Sequence, residues 1–264
     1  MKPPVFNPDW PEDVQAVYRH DMQEMWDPSI ARHVWNQYHN QLDLYLSLTG
    51  NRRGLKVLDI GCAQATLALL LAERGHEVWA VDIRQQFLDY AATRYEKGKV
   101  NFLCGNVVEL DLGQRFDLIF ANQIVEHLVY PLQFTRRLVE WLAPDGLLVV
   151  TTPNGDYVKN SLPSFSELGD PRQYADRQFT ADGDGHFFAY RENELKEILA
   201  EAGLKRVRVD YFETPFISGH VKMRYFHPFI PASALKFLDR LTLGLPGVGR
   251  RLAHQLMVIG SLSA

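Results

Sequence analysis

The sequence predicts an α/β chain built on a doubly wound, mostly parallel sheet of seven strands, with a helical N-terminal segment and lid insertions. Three observations predict it. Between Val57 and Thr151, short apolar runs alternate with helical stretches, the pattern of strands buried on both faces by crossover helices. Right-handed crossovers make such a sheet doubly wound. A long polar segment then follows the strand Leu147–Thr151, at the carboxyl edge where ligands bind in these sheets.

The elements follow in order. A short helix is expected near Glu12–Trp26. From Ile30 to Leu48, Val34, Tyr38, Leu42, Tyr45 and Leu48 recur at helical spacing, until "GNRRG" breaks the pattern. Residues 1–50 are therefore read as a helical segment or lid. Strands are expected at Val57–Ile60, Glu77–Val81, Val100–Leu103, Phe116–Ala121 and Leu147–Thr151. Helices are expected at Leu67–Ala72, Phe87–Tyr95 and Leu132–Leu142, the last ending at "APDG". Periodicity lapses from Thr152 to Tyr190. It returns as a helix at Glu192–Gly203, a strand at Arg206–Phe212 and a final strand in "HQLMVIGSL". One more amphipathic helix, with Leu235, Leu238, Leu241 and Leu245 on one face, is expected between 215 and 250. Residues 51–264 then form one domain with insertions at about 155–190 and 215–250.

Composition excludes several classes. The 264 residues are 46% hydrophobic and carry a net charge of −4, with no long basic run and adjacent arginines only as isolated pairs. The footprint of a nucleic-acid binder is missing. Cys62 and Cys104 form no CxxC, and two thiols are too few for a disulfide framework or an iron–sulfur cradle. The proline-rich, acidic start lacks the form of a signal peptide, and no apolar run approaches the roughly 20 residues of a membrane span. A cytoplasmic protein is expected.

The turn after the first strand reads Gly61-Cys62-Ala63-Gln64-Ala65-Thr66. A dinucleotide pyrophosphate wants G-x-G-x-x-G there, and the later glycines are absent. A cofactor without phosphate needs less: Asp59 before the turn for an ammonium group, Gly61 for one free backbone position, and small residues after it. Alanine is expected to serve provided φ stays negative. Asp82, closing the second strand, offers a carboxylate for two ribose hydroxyls. Either acid could instead cap the helix that follows it.

"VLDIGCAQA", "EVWAVDI", "FLCGNVVEL", "FDLIFANQIVEHL" and "LAPDGLLVVTTPN" resemble, in order, the motifs of class I S-adenosylmethionine-dependent methyltransferases. "GHFFAYRENELKEILAEAGLKRVRV" resembles the part that follows in small-molecule members of the ubiquinone-biosynthesis type. The likeness covers residues 55–212. It implies a Rossmann-like methyltransferase fold and S-adenosyl-L-methionine as cofactor. By family pattern, Asp59, Gly61 and the backbone at Cys62 and Ala63 would meet the methionine end. Asp82 would hold the ribose, with Ile83 beside the adenine. Asn106, where many members have Asp, and Val107 would meet the adenine, and Asn122 would lie near the methyl centre.

Methyl transfer from a sulfonium needs alignment and exclusion of water, and a hydroxyl acceptor adds the need for a base. His127 and His186 are the candidates, ahead of His220 and His227. In ubiquinone-type relatives Glu, Glu and His at i, i+3 and i+4 are linked to a divalent metal. Here those positions are Gln123, Glu126 and His127, and no metal is expected. Tyr157, Phe187, Phe188, Tyr211, Tyr225 and Phe226 are candidates for the acceptor wall. "ANQI" replaces the N-P-P-[YF] of amide and base methylation. The expected reaction is thus O-methylation of a small-molecule, sugar or lipid-like acceptor, by a chain for which a homodimer is admissible. The helix at Ala232–Leu243, flanked by Lys236 and Arg240, is expected to cap the site, with a membrane surface as the alternative. Three other readings stay open: a non-catalytic module on the same fold, an N- or C-methyltransferase, and, against the turn sequence, a nicotinamide oxidoreductase.

Overall fold

The computed structural model describes residues 1–177, 186 and 188–263. The chain opens with helix α1 (Glu12–Asp21), a π-helical turn (Met22–Trp26) and α2 (Arg32–Ser47). Strand β1 (Lys56–Ile60), α3 (Thr66–Glu73), β2 (Glu77–Asp82), α4 (Gln85–Arg94) and β3 (Lys99–Cys104) follow. Next come β4 (Phe116–Asn122), α5 (Pro131–Glu140), β5 (Leu142–Pro153), α6 (Glu192–Glu201) and β6 (Arg206–Phe212). The chain then runs through α7 (Pro215–Ser218), α8 (Ala232–Leu243), α9 (Gly249–Leu252) and β7 (Gln255–Ser261).

The seven strands form one sheet in the order β3-β2-β1-β4-β5-β7-β6. Five pair in parallel, and β7 runs antiparallel to β5 and β6. The order reverses between β1 and β4, which opens a crevice at their carboxyl ends. Side chains alternate across the sheet. Leu58, Ile60, Ile119, Ala121, Leu148 and Val150 enter the core beneath α5 and α6. Val57, Leu118, Phe120 and Val149 enter the opposite core, beneath α2, α3 and α4. This period of two, apolar on both faces, is why the central strands read as continuous hydrophobic runs.

Two expectations need correction. Helix α5 stops at Glu140, and β5 starts at Leu142, so "APDG" lies within a strand. Leu142 pairs with Phe116 across a bulge, and Gly146 permits the close approach: a Cβ there would lie 2.7 Å from the Phe116 carbonyl oxygen. In α8, Leu235 is buried, but Leu241 is exposed, as is Leu245 beyond the helix end. The buried side is completed by Asp239, which accepts hydrogen bonds from the Thr214 N–H and hydroxyl, each at 2.7 Å. Among the described residues, no helix is long and apolar enough to cross a membrane.

Candidate active site

The turn after β1 is tight and non-helical. Gly61 has φ of 62°, and a Cβ there would come within 2.8 Å of Ile124. The expectation that the alanines keep negative φ is wrong: Ala63 has φ of 46° and Ala65 of 56°. Left-handed backbone costs a residue with a Cβ about 1–2 kcal/mol, so this conformation must be imposed by its surroundings. It is. The Ala63 N–H donates to the Asp82 carboxylate at 2.9 Å, and the Ala65 N–H to the Cys62 carbonyl at 2.6 Å. The Arg94 guanidinium donates to the Gln64 carbonyl at 2.6 Å and to the Thr66 hydroxyl at 3.0 Å.

These bonds also test which cofactor fits. The Cys62 N–H donates to the Val81 carbonyl, so the N–H groups of Cys62, Ala63 and Ala65 are all engaged within the protein. None of the three is left to form a phosphate nest. Nearby cations are occupied as well. Arg94 is fully buried against Asp21 at 2.9 Å, and Arg84 lies over the Phe87 ring and bonds Asp82. The loop thus suits a nucleoside whose linker has no phosphate better than a pyrophosphate.

The expected binding residues stand along neighbouring strand ends. Asp59 is buried at the end of β1. Burial pushes its carboxyl up to about 7, with the Ala68 N–H bond opposing and the Asp82 charge adding. It therefore holds the first turn of α3, the capping reading, while facing the turn. Asp82 accepts from Ala63 and from the Arg84 N–H at 3.0 Å, which leaves lone pairs on its carboxylate. Ile83 is exposed just beyond it. Asn106, after β3, turns its side-chain oxygen to the Val108 N–H at 3.1 Å, and Val107 is buried in the core. Asn122, at the end of β4, accepts from the Thr151 hydroxyl at 3.1 Å. The Cys62 thiol is buried among apolar side chains, so its contribution to a ligand is its backbone.

A second group of side chains lies beyond β4. Glu126 and His127 sit on a single 3-10 turn (Val125–His127). Glu126 is fully buried. Its Oε2 accepts from the Thr152 hydroxyl at 3.1 Å, its Oε1 has no hydrogen-bond partner among the described residues, and burial pushes its carboxyl up to about 8. His186 brings Nε2 to 4.0 Å from that Oε1, with its ring 4.8 Å from the ring of His127. Ligand atoms of the three lie within 4.8 Å of one another, close enough to share a cation. Gln123 takes no part, because its amide donates to Gln255 at 3.0 Å.

His186 also lines a cavity of about 480 Å³ with Tyr157, Lys159, His220 and His254, and among the described residues no carboxylate lines it. The Tyr157 hydroxyl and His220 Nδ1 are 3.1 Å apart, and the rings of His220 and His254 are 4.3 Å apart. Burial, then the neighbouring histidines, push His254 down to about 4. Of the other expected wall residues, Phe188 is in the core, Tyr211 bonds Glu192, Tyr225 and Phe226 are exposed, and Phe187 lies outside the described residues. His227 is buried against Asn36, 3.0 Å away.

Comparison with protein families matches residues 18–209 to a methyltransferase domain. The chain belongs to the class I S-adenosylmethionine-dependent methyltransferases. Among curated proteins, the methyltransferase is 37% identical over 106 residues to a ubiquinone biosynthesis O-methyltransferase of Bradyrhizobium diazoefficiens, covering 39% of this chain and 42% of that one. It is 30% identical over 102 residues to the protein of the same name from Rickettsia akari, covering 38% and 41%. The chain thus spans about two fifths of the length of the curated relatives it matches. Among solved structures it resembles magnesium protoporphyrin IX methyltransferase of Synechocystis with bound S-adenosylhomocysteine (TM-score 0.59, 14% identity, 96% of this chain and 95% of that one). It also resembles phosphoethanolamine N-methyltransferase 2 of Haemonchus contortus (TM-score 0.60, 15% identity, 93% and 59%). S-adenosylmethionine is the cofactor of this family, and the nicotinamide reading falls away.

Three features of the methyltransferase were not legible in its sequence. His254 reads as part of a strand. Gln64 reads as a turn residue, yet its amide donates to Glu24 at 2.9 Å. Arg94 reads as the exposed end of a helix. In each case the partner is remote in sequence, so no local signal announces it.

Proposed function

We propose that the methyltransferase methylates a hydroxyl group on a small-molecule, sugar or lipid-like acceptor seated in the cavity lined by His186, Tyr157, His220 and His254. The observation that carries this reading is the Glu126–His186 pair beside that cavity. A hydroxyl must lose its proton during transfer, and this site offers a base with a carboxyl behind it. Burial holds His186 below its ordinary value, so its imidazole is neutral near pH 7 and can accept a proton. The Glu126 carboxyl, which ionises only above about pH 8, faces the same imidazole, and His127 packs against the same ring. The curated relatives from Bradyrhizobium and Rickettsia are named as O-methyltransferases, which supports oxygen as the acceptor atom.

Bound S-adenosylmethionine supplies a methyl group already activated on a sulfonium. In the proposed site, Asp59, Gly61 and the backbone of Cys62 and Ala63 meet its methionine end. Asp82 accepts from the ribose, Ile83, Asn106 and Val107 frame the adenine, and Asn122 borders the methyl group. Residues 1–50, 215–250 and the described part of 155–190 would serve as the lid of the domain 51–264, with 178–185 and Phe187 outside the described residues.

Calorimetry with S-adenosylhomocysteine, followed by turnover of labelled S-adenosylmethionine against hydroxyl acceptors, tests the reading. We expect His186→Asn to lower kcat by about 10²-fold and to leave product affinity unchanged. Full activity in that variant would remove His186 as the base. The trio of Glu126, His127 and His186 supports a second reading, a bound divalent cation, because Glu126 Oε1 is buried without a hydrogen-bond partner among the described residues. Activity that survives dialysis against EDTA favours the proton-transfer reading. Loss restored by a divalent cation favours the metal.

A further inference from the structure

Of the fourteen large apolar side chains exposed among the described residues, eight lie between Val221 and Val248. They are Val221, Tyr225, Phe226, Phe229, Phe237, Leu241, Leu245 and Val248, and Phe229 is 83% exposed. This stretch is about a tenth of the chain, so the exposure is concentrated. Phe237 and Leu241 are one turn apart on the outer face of α8. Ile30, Arg32, Arg224, Tyr225 and Phe229 line one cleft of about 700 Å³.

The charge of the segment is equally one-sided. Residues 215–251 hold six Lys and Arg and a single acid, Asp239, in a chain of net charge −4. Asp239 is buried against Thr214 and contributes nothing to the surface. Lys236 pairs with Asp43 at 2.7 Å and Arg250 with Asp156, whereas Lys222 and Arg224 have no carboxylate partner among the described residues. Arg224 instead lies over the Tyr225 ring at 4.9 Å.

We propose that the 221–248 segment, with Ile30 and Arg32, is a docking face for the surface of an anionic phospholipid bilayer. Aromatic and aliphatic side chains interleaved with cations are what an interfacial segment presents to headgroups and the upper acyl region. A second copy of this chain fits less well. An isologous contact would gather the Lys222, Arg224 and Arg240 of both copies into one interface with no free carboxylate from this segment to offset them.

The clefts give the face a connection inward. His220 and Val221 line both the 480 Å³ cavity and a neighbouring cleft of about 380 Å³, and that cleft shares His33 and Arg224 with the 700 Å³ one. Through these shared lining residues the docking face adjoins the cavity assigned above to the acceptor. That last link rests on the acceptor assignment. Bilayer docking does not, and it is measured without turnover.

The test is co-sedimentation of the full chain with vesicles of phosphatidylcholine alone, or mixed with phosphatidylglycerol. Binding is expected to the mixed vesicles and to weaken with added salt. Phe229→Ser with Phe237→Ser, and separately Lys222→Glu with Arg224→Glu, should each weaken it by about tenfold or more. Phe6→Ser, which alters an exposed aromatic elsewhere, should leave it unchanged. All sites are on the surface, and unchanged S-adenosylhomocysteine affinity verifies the fold and keeps this result separate from the methyl-transfer reading. No sedimentation with mixed vesicles, or binding indifferent to both double variants, overturns the proposal. So does self-association by light scattering that Phe229→Ser abolishes, which would assign the face to a second copy.

Discussion

At the scale of single residues, the turn after β1 runs against local preference. Ala63 and Ala65 both hold positive φ, yet their environments differ. Ala65 is fully buried in the core beneath α3, so its methyl fills space that a glycine would leave empty. Ala63 is only half-buried and is held by its bond to Asp82. Ala63→Gly removes about 1 kcal/mol of left-handed strain, offset in part by the greater freedom of glycine in the unfolded chain. We expect urea unfolding to show Ala63→Gly as stable as the parent or up to about 1 kcal/mol more so. Ala65→Gly should be less stable than the parent. A clear loss in Ala63→Gly would mean that its methyl packs in a way the turn requires. Sequence reasoning found the turn and its missing glycines. It placed the φ angles on the wrong side because the bonds from Asp82 and Arg94 that impose them come from other elements.

At the scale of elements, the N-terminal helices are tied to the binding turn by one buried network. Arg94, the last residue of α4, pairs with Asp21, the last of α1, and both side chains are fully buried. Tyr90 and Trp26 donate to the same carboxylate at 2.7 and 3.1 Å, while Arg94 also holds Gln64 and Thr66. Removing one partner of a buried pair costs about 3–5 kcal/mol, whereas replacing both is far milder. Arg94→Met should therefore lower stability by about that amount and weaken S-adenosylhomocysteine binding through the loosened turn. Adding Asp21→Asn should recover much of the stability. A stable Arg94→Met with parental affinity would show the network to be dispensable. The elements themselves were readable where periodicity was strong: β1, β2, β4, α3 and α6 fall within a residue or two of expectation. The start of β5 was not, because Pro144, Asp145 and Gly146 signal a turn while Phe116 and Trp141 hold the stretch against β4. The outward face of α8 was misread for a related reason. Its leucine spacing indicates amphipathicity but not which stripe meets the protein, and the hydrogen bonds from Thr214 to Asp239 decide that.

At the scale of the whole molecule, buried titratable groups set how stability varies with pH. Burial pushes Glu126 and Glu213 up to about 8, and Glu24 and Asp59 up to about 7. Burial likewise pushes His227 and His254 down to about 4. Unfolded histidines take up protons below about 6.5, which the buried ones resist, while the buried carboxyls oppose that trend because they keep protons the unfolded chain has already lost. Above about 6.5 the histidines are neutral in both states, and the carboxyls decide. In the unfolded chain they are already ionised, while the folded chain still holds their protons. The unfolded state then binds fewer protons, and stability falls as pH rises from about 6.5 to about 8. The thermal midpoint should therefore decline from pH 6.5 to about pH 8 and level off above it. Glu126→Gln keeps an acceptor for the Thr152 hydroxyl and has no charge to bury, so the decline should be shallower in that variant. A midpoint that rises between pH 6.5 and pH 8 in the parent, or a slope unaltered by Glu126→Gln, would show that Glu126 is ionised in the folded protein. A compensating charge would then have to lie within reach of its Oε1, and the cation reading of the Glu126–His127–His186 trio would gain the advantage.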